Sequence, residues 1–417
     1  MSKDKVLVFK KTLANVVPLF KWLFLATVVG IAGGVVGSIF HKLLDLVAEI
    51  RTENLWIIAL LPAGGVLIAL LYQLFKKCGI LSTDRVLDAV LKDKDVPLIL
   101  SPLIFISTTI SHLFGASVGR EGAALQLGGS IGYNIGKCFK LSKKDLHIIV
   151  MIGMSSAFSA LFGTPLTAAV FAIELTTVGE VRYGGFLPCV VASVVAYEIA
   201  LLFGISSIDF SFIALMPISV GIIIKVIALS FLCALVSIVF SVGITKGEYY
   251  IKKILPNAYL KALVGGLVIV ILTFLLRTYD YNGTGMDVIA GAMRGNSRPE
   301  AFLIKMIFTV ICIGAGFKGG EIVPTLFIGA TFGSLAGALL GLDAGFSAAV
   351  GFVALFCGMV NCPIASLFLA IEVFGTGNML IFAIAVGVSY LMSGHFSLYK
   401  SQKFVYSKLT DEYINTK

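Results

Sequence analysis

Charge is what this sequence has least of. Only 13% of its 417 residues are Asp, Glu, Lys or Arg, against roughly 25% in an ordinary soluble domain. Hydrophobic residues make up 58%, and the mean hydropathy is +1.00. A chain so poor in charge cannot cover itself with a solvated surface. That excludes a soluble enzyme and indicates a polytopic protein of the cell membrane. A long polar segment is also missing. Apolar runs begin almost at once and continue to about residue 393, so no separate soluble domain is expected. Residues 1–11 and 400–417 are the only sustained polar ends. The start lacks a cleavage pattern: Lys3, Lys5, Lys10 and Lys11 lead straight into the apolar run 12–40, with no small-residue site after a short hydrophobic core.

Residues with metal or redox chemistry are equally sparse. Cys78, Cys138, Cys189, Cys233, Cys312, Cys357 and Cys362 are scattered, without a CxxC pair. They support neither a disulfide framework nor a metal site and read as small core residues. His41, His112, His147 and His395 form no ligand pattern. His41 and His147 sit at polar edges, where solvated histidines are expected. There is no Ser/His/Asp arrangement and no phosphate-binding loop, so neither an enzyme nor a cofactor is expected. The net charge of +9 raises nucleic acid as a partner. However, the basic clusters at 3–21, 76–77, 137–144 and 400–408 all flank apolar segments. They read as cytoplasmic flanks, both termini included. Some of these lysines can also attract an anion.

The apolar segments themselves are uneven. Runs at 12–40, 55–75, 185–204, 211–243 and 259–277 are long enough to span. Those at 122–136, 148–162, 165–175, 322–341, 346–360 and 363–374 are cut short by Gly, Pro or a charge. A helix of about 14 residues is roughly 21 Å long, short of the roughly 30 Å hydrocarbon core. Such pieces must meet others inside the protein, where exposed backbone can line a cavity. Paired broken helices in matching places are a sequence sign of a transport site.

The short pieces do match. Setting Gly119 on Gly320 places Gly128 on Gly329, Ser130 on Thr331, Gly132 on Gly333 and Gly136 on Gly337. A slightly shorter shift places Gly153 on Gly351, Phe158 on Phe356, Pro165 on Pro363 and Glu174 on Glu372. Two matches in the same order imply two homologous halves, 1–205 and 206–417. Glycines at four-residue spacing lie on one helical face and permit close helix contact; no ion contact is assigned to them.

Each copy also sets a carboxylate at a helix start. In Gly119-Arg120-Glu121-Gly122-Ala123, the glycines allow close approach to main-chain N–H groups, and the helix N-terminus attracts an anion. Glu121 is either a carboxylate paired with Arg120 or a group that moves between charged and protonated states. Intramembrane acids are functional by default. In Gly319-Gly320-Glu321-Ile322-Val323-Pro324, Pro324 suits a first helical turn, leaving the Ile322 and Val323 N–H groups free to face an anion. Glu321 would repel that anion unless protonated or turned away. It is either an N-cap or a partner of Lys318, or a protonated gating acid. Glu174 and Glu372 read as structural caps. The mixed-charge stretch from Asp84 to Asp95 reads as solvated.

These residues carry a resemblance that covers nearly the whole chain. Gly119 to Gly122 resembles the GREGP motif of the CLC anion channels and transporters, Gly320 to Pro324 their GxFxP motif, and Leu398-Tyr399 their pore tyrosine segment. The resemblance implies an all-α membrane fold of two inverted repeats, with broken helices meeting mid-membrane. It also implies a homodimer with one pathway per subunit. In that match Glu121 is the gating glutamate and Tyr399 a hydroxyl donor, while Gly122, Ala123, Ile322 and Val323 belong to the anion site. Ser82 is the nearest match to the serine of chloride-type members, in the stretch from Gly79 to Asp84. There are departures. Ala123 replaces Pro, Ile322 replaces Phe, and the inner proton glutamate of chloride/proton exchangers falls on Leu175. A Gly-Gly-Glu-x-x-Pro version of the second motif is similar to that of the fluoride-specific CLC-F branch. This implies fluoride/proton antiport, with Glu321 marking selectivity. A chloride channel or chloride/proton exchanger is the alternative.

Overall fold

The computed structural model describes residues 3–75, 82–410 and 412–415, with side chains from residue 16 onward. Lys76, Lys77 and Cys78, and the residues Gly79, Ile80 and Leu81 compared above, lie outside the described residues. The helices are α1 (Lys3–Glu53), α2 (Leu61–Leu74), α3 (Thr83–Leu91), α4 (Leu100–Leu113), α5 (Glu121–Cys138), α6 (Lys143–Phe162), α7 (Pro165–Glu174) and α8 (Phe186–Leu202). They continue as α9 (Val220–Ile254), α10 (Ala258–Leu276), α11 (Met286–Met293), α12 (Ala301–Ala315), α13 (Ile322–Leu339), α14 (Ala344–Val360), α15 (Pro363–Phe374) and α16 (Met379–Met392). The only named strands among the described residues are β1 (Thr177–Val178) and β2 (Lys403–Phe404), which pair in parallel.

Burial separates the helices into two kinds. Every residue of α6 from Ile149 to Phe162 is buried, as is every residue of α14 from Gly345 to Val360. A helix apolar on all sides belongs in an interior, and these two form the centre. By contrast, α9 shows an outward stripe at Val220, Ile224, Ile227, Phe231, Leu235 and Val239. That apolar stripe, exposed at helical spacing, is the kind of face a membrane-spanning helix presents. Among the described residues, seven helices are long and apolar enough to cross a membrane.

The boundaries depart from the apolar runs at several points. The run 211–243 becomes α9, starting only at Val220 and extending to Ile254. Ser219 sets that start, its hydroxyl accepting from the Ile222 N–H at 3.3 Å. The run 55–75 is a 3₁₀ turn (Leu55–Leu60) followed by α2. Two pieces expected to be too short reach spanning length: α6 has 20 residues and α13 has 18, about 30 and 27 Å. In α6 the polar Lys143-Lys144-Asp145 start is absorbed into the first turn, capped by Ser142.

Glycine permits the central contacts. A methyl group on Gly128 would overlap the Gly153 carbonyl, and one on Gly153 would overlap the Gly128 carbonyl. Gly329 and Gly351 stand in the same relation. Helix α5 therefore crosses α6, and α13 crosses α14, backbone against backbone.

The short helices α7 and α15 cap each other. Both begin on proline, and neither N-cap residue, Thr164 or Cys362, supplies a capping side chain. The Glu372 carboxylate, on α15, accepts from the N–H groups of Leu166 (2.9 Å) and Thr167 (2.8 Å) and from the Thr167 hydroxyl (2.6 Å). The Glu174 carboxylate, on α7, accepts from the N–H groups of Ile364 (3.2 Å) and Ala365 (2.9 Å). Both acids act as caps, each on the other helix. Glu372→Ala should strand two N–H groups at the start of α7. The expected cost is about 1–3 kcal/mol, read as a lowered thermal unfolding midpoint in detergent. An unchanged midpoint would remove the cap from the account.

Candidate functional site

The two glycine motifs meet at one point. Gly119 N–H donates to the Gly320 carbonyl at 2.6 Å, and Gly320 N–H donates to the Gly119 carbonyl at 2.7 Å. This antiparallel bridge sets the starts of α5 and α13 side by side. No side chain caps either helix. No acceptor is recorded for the N–H groups of Ile322 or Val323 among the described residues. Both residues are 1% exposed, so two buried donors stand at the start of α13 without a protein partner. A methyl on Gly122 would lie 2.8 Å from the Gly320 Cα and 3.4 Å from a Glu321 carboxylate oxygen. Only glycine allows this approach.

Glu121 is 1% exposed. One of its oxygens accepts from the Arg120 N–H at 3.1 Å, and the other lies 3.7 Å from Arg120 Nε. The ion pair with Arg120 thus exists, but it is long and buried rather than at a membrane surface. Arg120 turns its other end to Asp45, at 3.0 Å, and His41 Nε2 lies 3.0 Å from the same carboxylate. His41 also contacts the Leu161 carbonyl at 3.0 Å, so it is held rather than freely solvated. His147 is likewise held, by Asp93 at 2.6 Å.

Glu321 fits neither of the plain readings. It makes no side-chain capping bond, and no acid lies within ion-pair distance of Lys318 among the described residues. The Lys318 ammonium instead lies over the Tyr72 ring, 4.3 Å from its centre. Glu321 opens onto a cavity of about 670 Å³ on the side of the C-terminal tail, whose lining includes Ser82, Gln126, Lys318 and Tyr399. The Tyr399 ring is 4% exposed, and its hydroxyl has no partner. Gln126 donates to Thr83 Oγ1 at 2.9 Å, which leaves its own carbonyl oxygen unpartnered. A free hydroxyl, a free amide carbonyl and an unpaired acid therefore belong to residues lining one polar chamber.

The structure brings Glu321, Tyr399 and Ser82 together in this chamber, with Ile322 and Val323 directly behind Glu321. Glu121 and Gly122 stand at the neighbouring helix start, across the glycine bridge, and Glu121 does not line the chamber. Ala123 points elsewhere: its side chain packs with Phe40, Leu44 and Ile104. Two residues of the mixed-charge stretch are not simply solvated. Asp84 lines the chamber and accepts from the Ser401 N–H at 3.0 Å. Asp88 is 8% exposed and tied to Lys92 (2.9 Å) and Lys94 (2.6 Å). The Asp84 bond joins the start of α3 to the tail that carries Tyr399. Thr83, Gln126 and Lys318 are also among the lining residues. Of these the sequence singles out only Lys318, beside Glu321; Gln126 stands four residues beyond Gly122 and so on the same helical face.

Comparison with known proteins identifies the family. The family model described as voltage gated chloride channel matches residues 64–394. The chain is 35% identical over 395 residues to the chloride/fluoride channel protein of Pseudomonas syringae pv. tomato, covering 93% of this chain and 87% of that one. It is 25% identical to the H(+)/Cl(-) exchange transporter ClcA of Vibrio campbellii, covering 85% of this chain and 82% of that one. Among solved structures, a CLC-type fluoride/proton antiporter superposes with a TM-score of 0.88 at 28% identity, covering 93% of this chain and 98% of that one. A slow cyanobacterial Cl-/H+ antiporter superposes with a TM-score of 0.76 at 22% identity, covering 89% and 94%, a likeness of fold. With the doubled glycine motif, the bridged helix starts and these matches, the chain belongs to the CLC family of anion channels and transporters.

Proposed function

We propose that this protein exports fluoride in exchange for protons, with Glu121 as the moving carboxyl and Glu321 as the residue that marks selectivity. The observation that carries the reading is Glu321 standing uncapped and unpaired in the same chamber as the free Tyr399 hydroxyl. Fluoride is small, holds its water tightly and accepts strong hydrogen bonds. It is rewarded by hydroxyls, backbone N–H groups and protonated acids, which replace its lost hydration. The names of two similar proteins, a chloride/fluoride channel protein and a CLC-type fluoride/proton antiporter, point the same way.

In this reading the anion enters through the Ser82–Tyr399 chamber and meets the free N–H groups of Ile322 and Val323. Gly122 and Ala123 contribute only main-chain donors at the start of α5. A protonated Glu121 donates a bond to the anion, and its release of the proton completes the exchange. The basic flanks at 137–144 and 400–408 support a cytoplasmic side for the chamber. The chain works as a homodimer in the plasma membrane with one pathway in each subunit. Its halves, 1–205 and 206–417, are related by inversion. The exchanged caps of α7 and α15 support that relation. A second reading, a chloride channel or chloride/proton exchanger, draws on Ser82, which lines the same chamber.

The test is ion efflux from proteoliposomes, followed with fluoride and chloride electrodes and a pH probe. Fluoride is expected to leave at least about tenfold faster than chloride, the ratio that one hydrogen bond to a charged group supplies, with protons moving the other way. Chloride efflux as fast as fluoride would favour the second reading. Glu121→Gln keeps the shape of the side chain but cannot carry a proton. It should abolish coupled proton movement, and wild-type stoichiometry in that variant would defeat the role given to Glu121.

A further inference from the structure

The tail residue Gln402 is 6% exposed, and all four of its hydrogen-bonding positions are filled, the full capacity of a primary amide. Its Nε2 donates to the carbonyls of Leu175 and Val360, both at 2.8 Å. Leu175 follows the last residue of α7, and Val360 ends α14, so Gln402 satisfies a carbonyl at the end of each. Carbonyls there have no partner within their own helix and need one from outside. Its Oε1 accepts from Asn361 Nδ2 at 3.1 Å and from the Ser397 hydroxyl at 2.6 Å.

A buried glutamine that satisfies two helix ends is ordinary scaffold. The link through Ser397 sets this one apart. The Ser397 hydroxyl that donates to Gln402 also accepts the Tyr399 N–H, at 3.1 Å. The Gln402 N–H then donates to the Tyr399 carbonyl at 3.2 Å. Both main-chain polar groups of Tyr399 are thereby fixed by one short ring of bonds, and Gln402 ties that ring to α7 and α14. The Tyr399 hydroxyl is the one polar group of the residue left free, and it is buried. Asn361 is gripped in turn by Lys408, which also donates to the Tyr390 carbonyl at 2.9 Å and to Ser393 Oγ at 2.8 Å.

We infer that Gln402 is a positioning residue for transport: its amide holds the tail so that the Tyr399 hydroxyl faces the anion chamber at a fixed place. The inference rests on the reading of Tyr399 as an anion-binding hydroxyl. A hydrogen bond to a small anion weakens steeply with misalignment. A loosened tail therefore costs fluoride more than the larger, less directional chloride.

The variants are Tyr399→Phe, Gln402→Glu, Ser397→Ala and the double variant Gln402→Glu/Tyr399→Phe, with fluoride and chloride efflux measured on each in proteoliposomes. Ionised Glu keeps both acceptor roles of Gln402 and loses both donors. Tyr399→Phe should lower the fluoride-to-chloride rate ratio about tenfold, one hydrogen bond to an anion. Gln402→Glu should lower the ratio in the same direction, and the double variant should be no worse than Tyr399→Phe alone. Ser397→Ala leaves the helix ends satisfied and releases the Tyr399 N–H and one acceptor position of Gln402. It should shift the ratio the same way even if Gln402→Glu does not yield folded protein. A wild-type ratio in both Gln402→Glu and Ser397→Ala, or losses that simply multiply in the double variant, would overturn the inference. A wild-type ratio in Tyr399→Phe would instead overturn the reading of Tyr399 beneath it, so the two failures are distinguishable.

Discussion

A helix that stops inside a membrane leaves N–H groups at one end or carbonyls at the other, with no water to receive them. Leaving such a group unpaired in hydrocarbon costs several kcal/mol, so every broken helix here needs a partner from somewhere else. Much of the architecture follows from how that need is met. The starts of α7 and α15 take carboxylates from each other's far ends, Glu372 and Glu174. The ends of α7 and α14 take the amide of Gln402. The starts of α5 and α13 are different. Neither has a capping side chain, and the chain brings them together across the Gly119–Gly320 bridge. Where the protein completes a helix end it builds scaffold, and where it leaves one open it leaves room for an anion.

The carboxylates of the two repeated motifs divide along the same line. Glu174 and Glu372 are equivalent in the repeat and equivalent in use, each spent on N–H groups of its counterpart helix. Glu121 and Glu321 are offset by one residue in the aligned motifs, and that offset matters. Glu121 is the first residue of α5, folded back against the Arg120 N–H, whereas Glu321 is the residue before α13 and opens into the tail-side chamber. An acid inside the first turn and an acid just outside it meet different surroundings, although the motifs around them align in sequence.

The legible part of the sequence was the part written in short-range chemistry. Glycine spacing fixed which helix faces touch, because a four-residue period lies on one face, and the contacts between Gly128 and Gly153 and between Gly329 and Gly351 follow. The prolines at 165 and 363 marked the starts of α7 and α15, since proline fits only where an N–H is not needed. Lengths were read less well. In α6 a charged first turn counted as a boundary when it is the beginning of the helix, and in α9 apolar residues before Val220 counted as helix when they are not. The chamber was only partly legible. Glu321 and Tyr399 stood out by motif, but Asp84 meets Ser401 and Lys318 meets Tyr72 from hundreds of residues apart. Gln402 lies in a polar tail with no periodicity. Its four partners come from three separate segments, and no local pattern encodes that.

The position of Leu175 sharpens the functional argument. Chloride/proton exchangers of the resembling kind place an acid there, beside the end of α7. Here the side chain is apolar and fully buried, and its carbonyl is held by Gln402. The one acid beside it, Glu174, is spent on the Ile364 and Ala365 N–H groups. In the proposed antiporter the proton must therefore use the groups that line the anion route: Glu121 at one helix start, Glu321 at the other, and the Tyr399 hydroxyl in the chamber below. Fluoride suits such a shared route better than chloride does. It accepts a strong bond from a protonated carboxyl, so an acid on the path need not repel it, provided the acid already holds its proton when the anion meets it. A route shared in this way ties the two movements to each other without a second, separate proton relay.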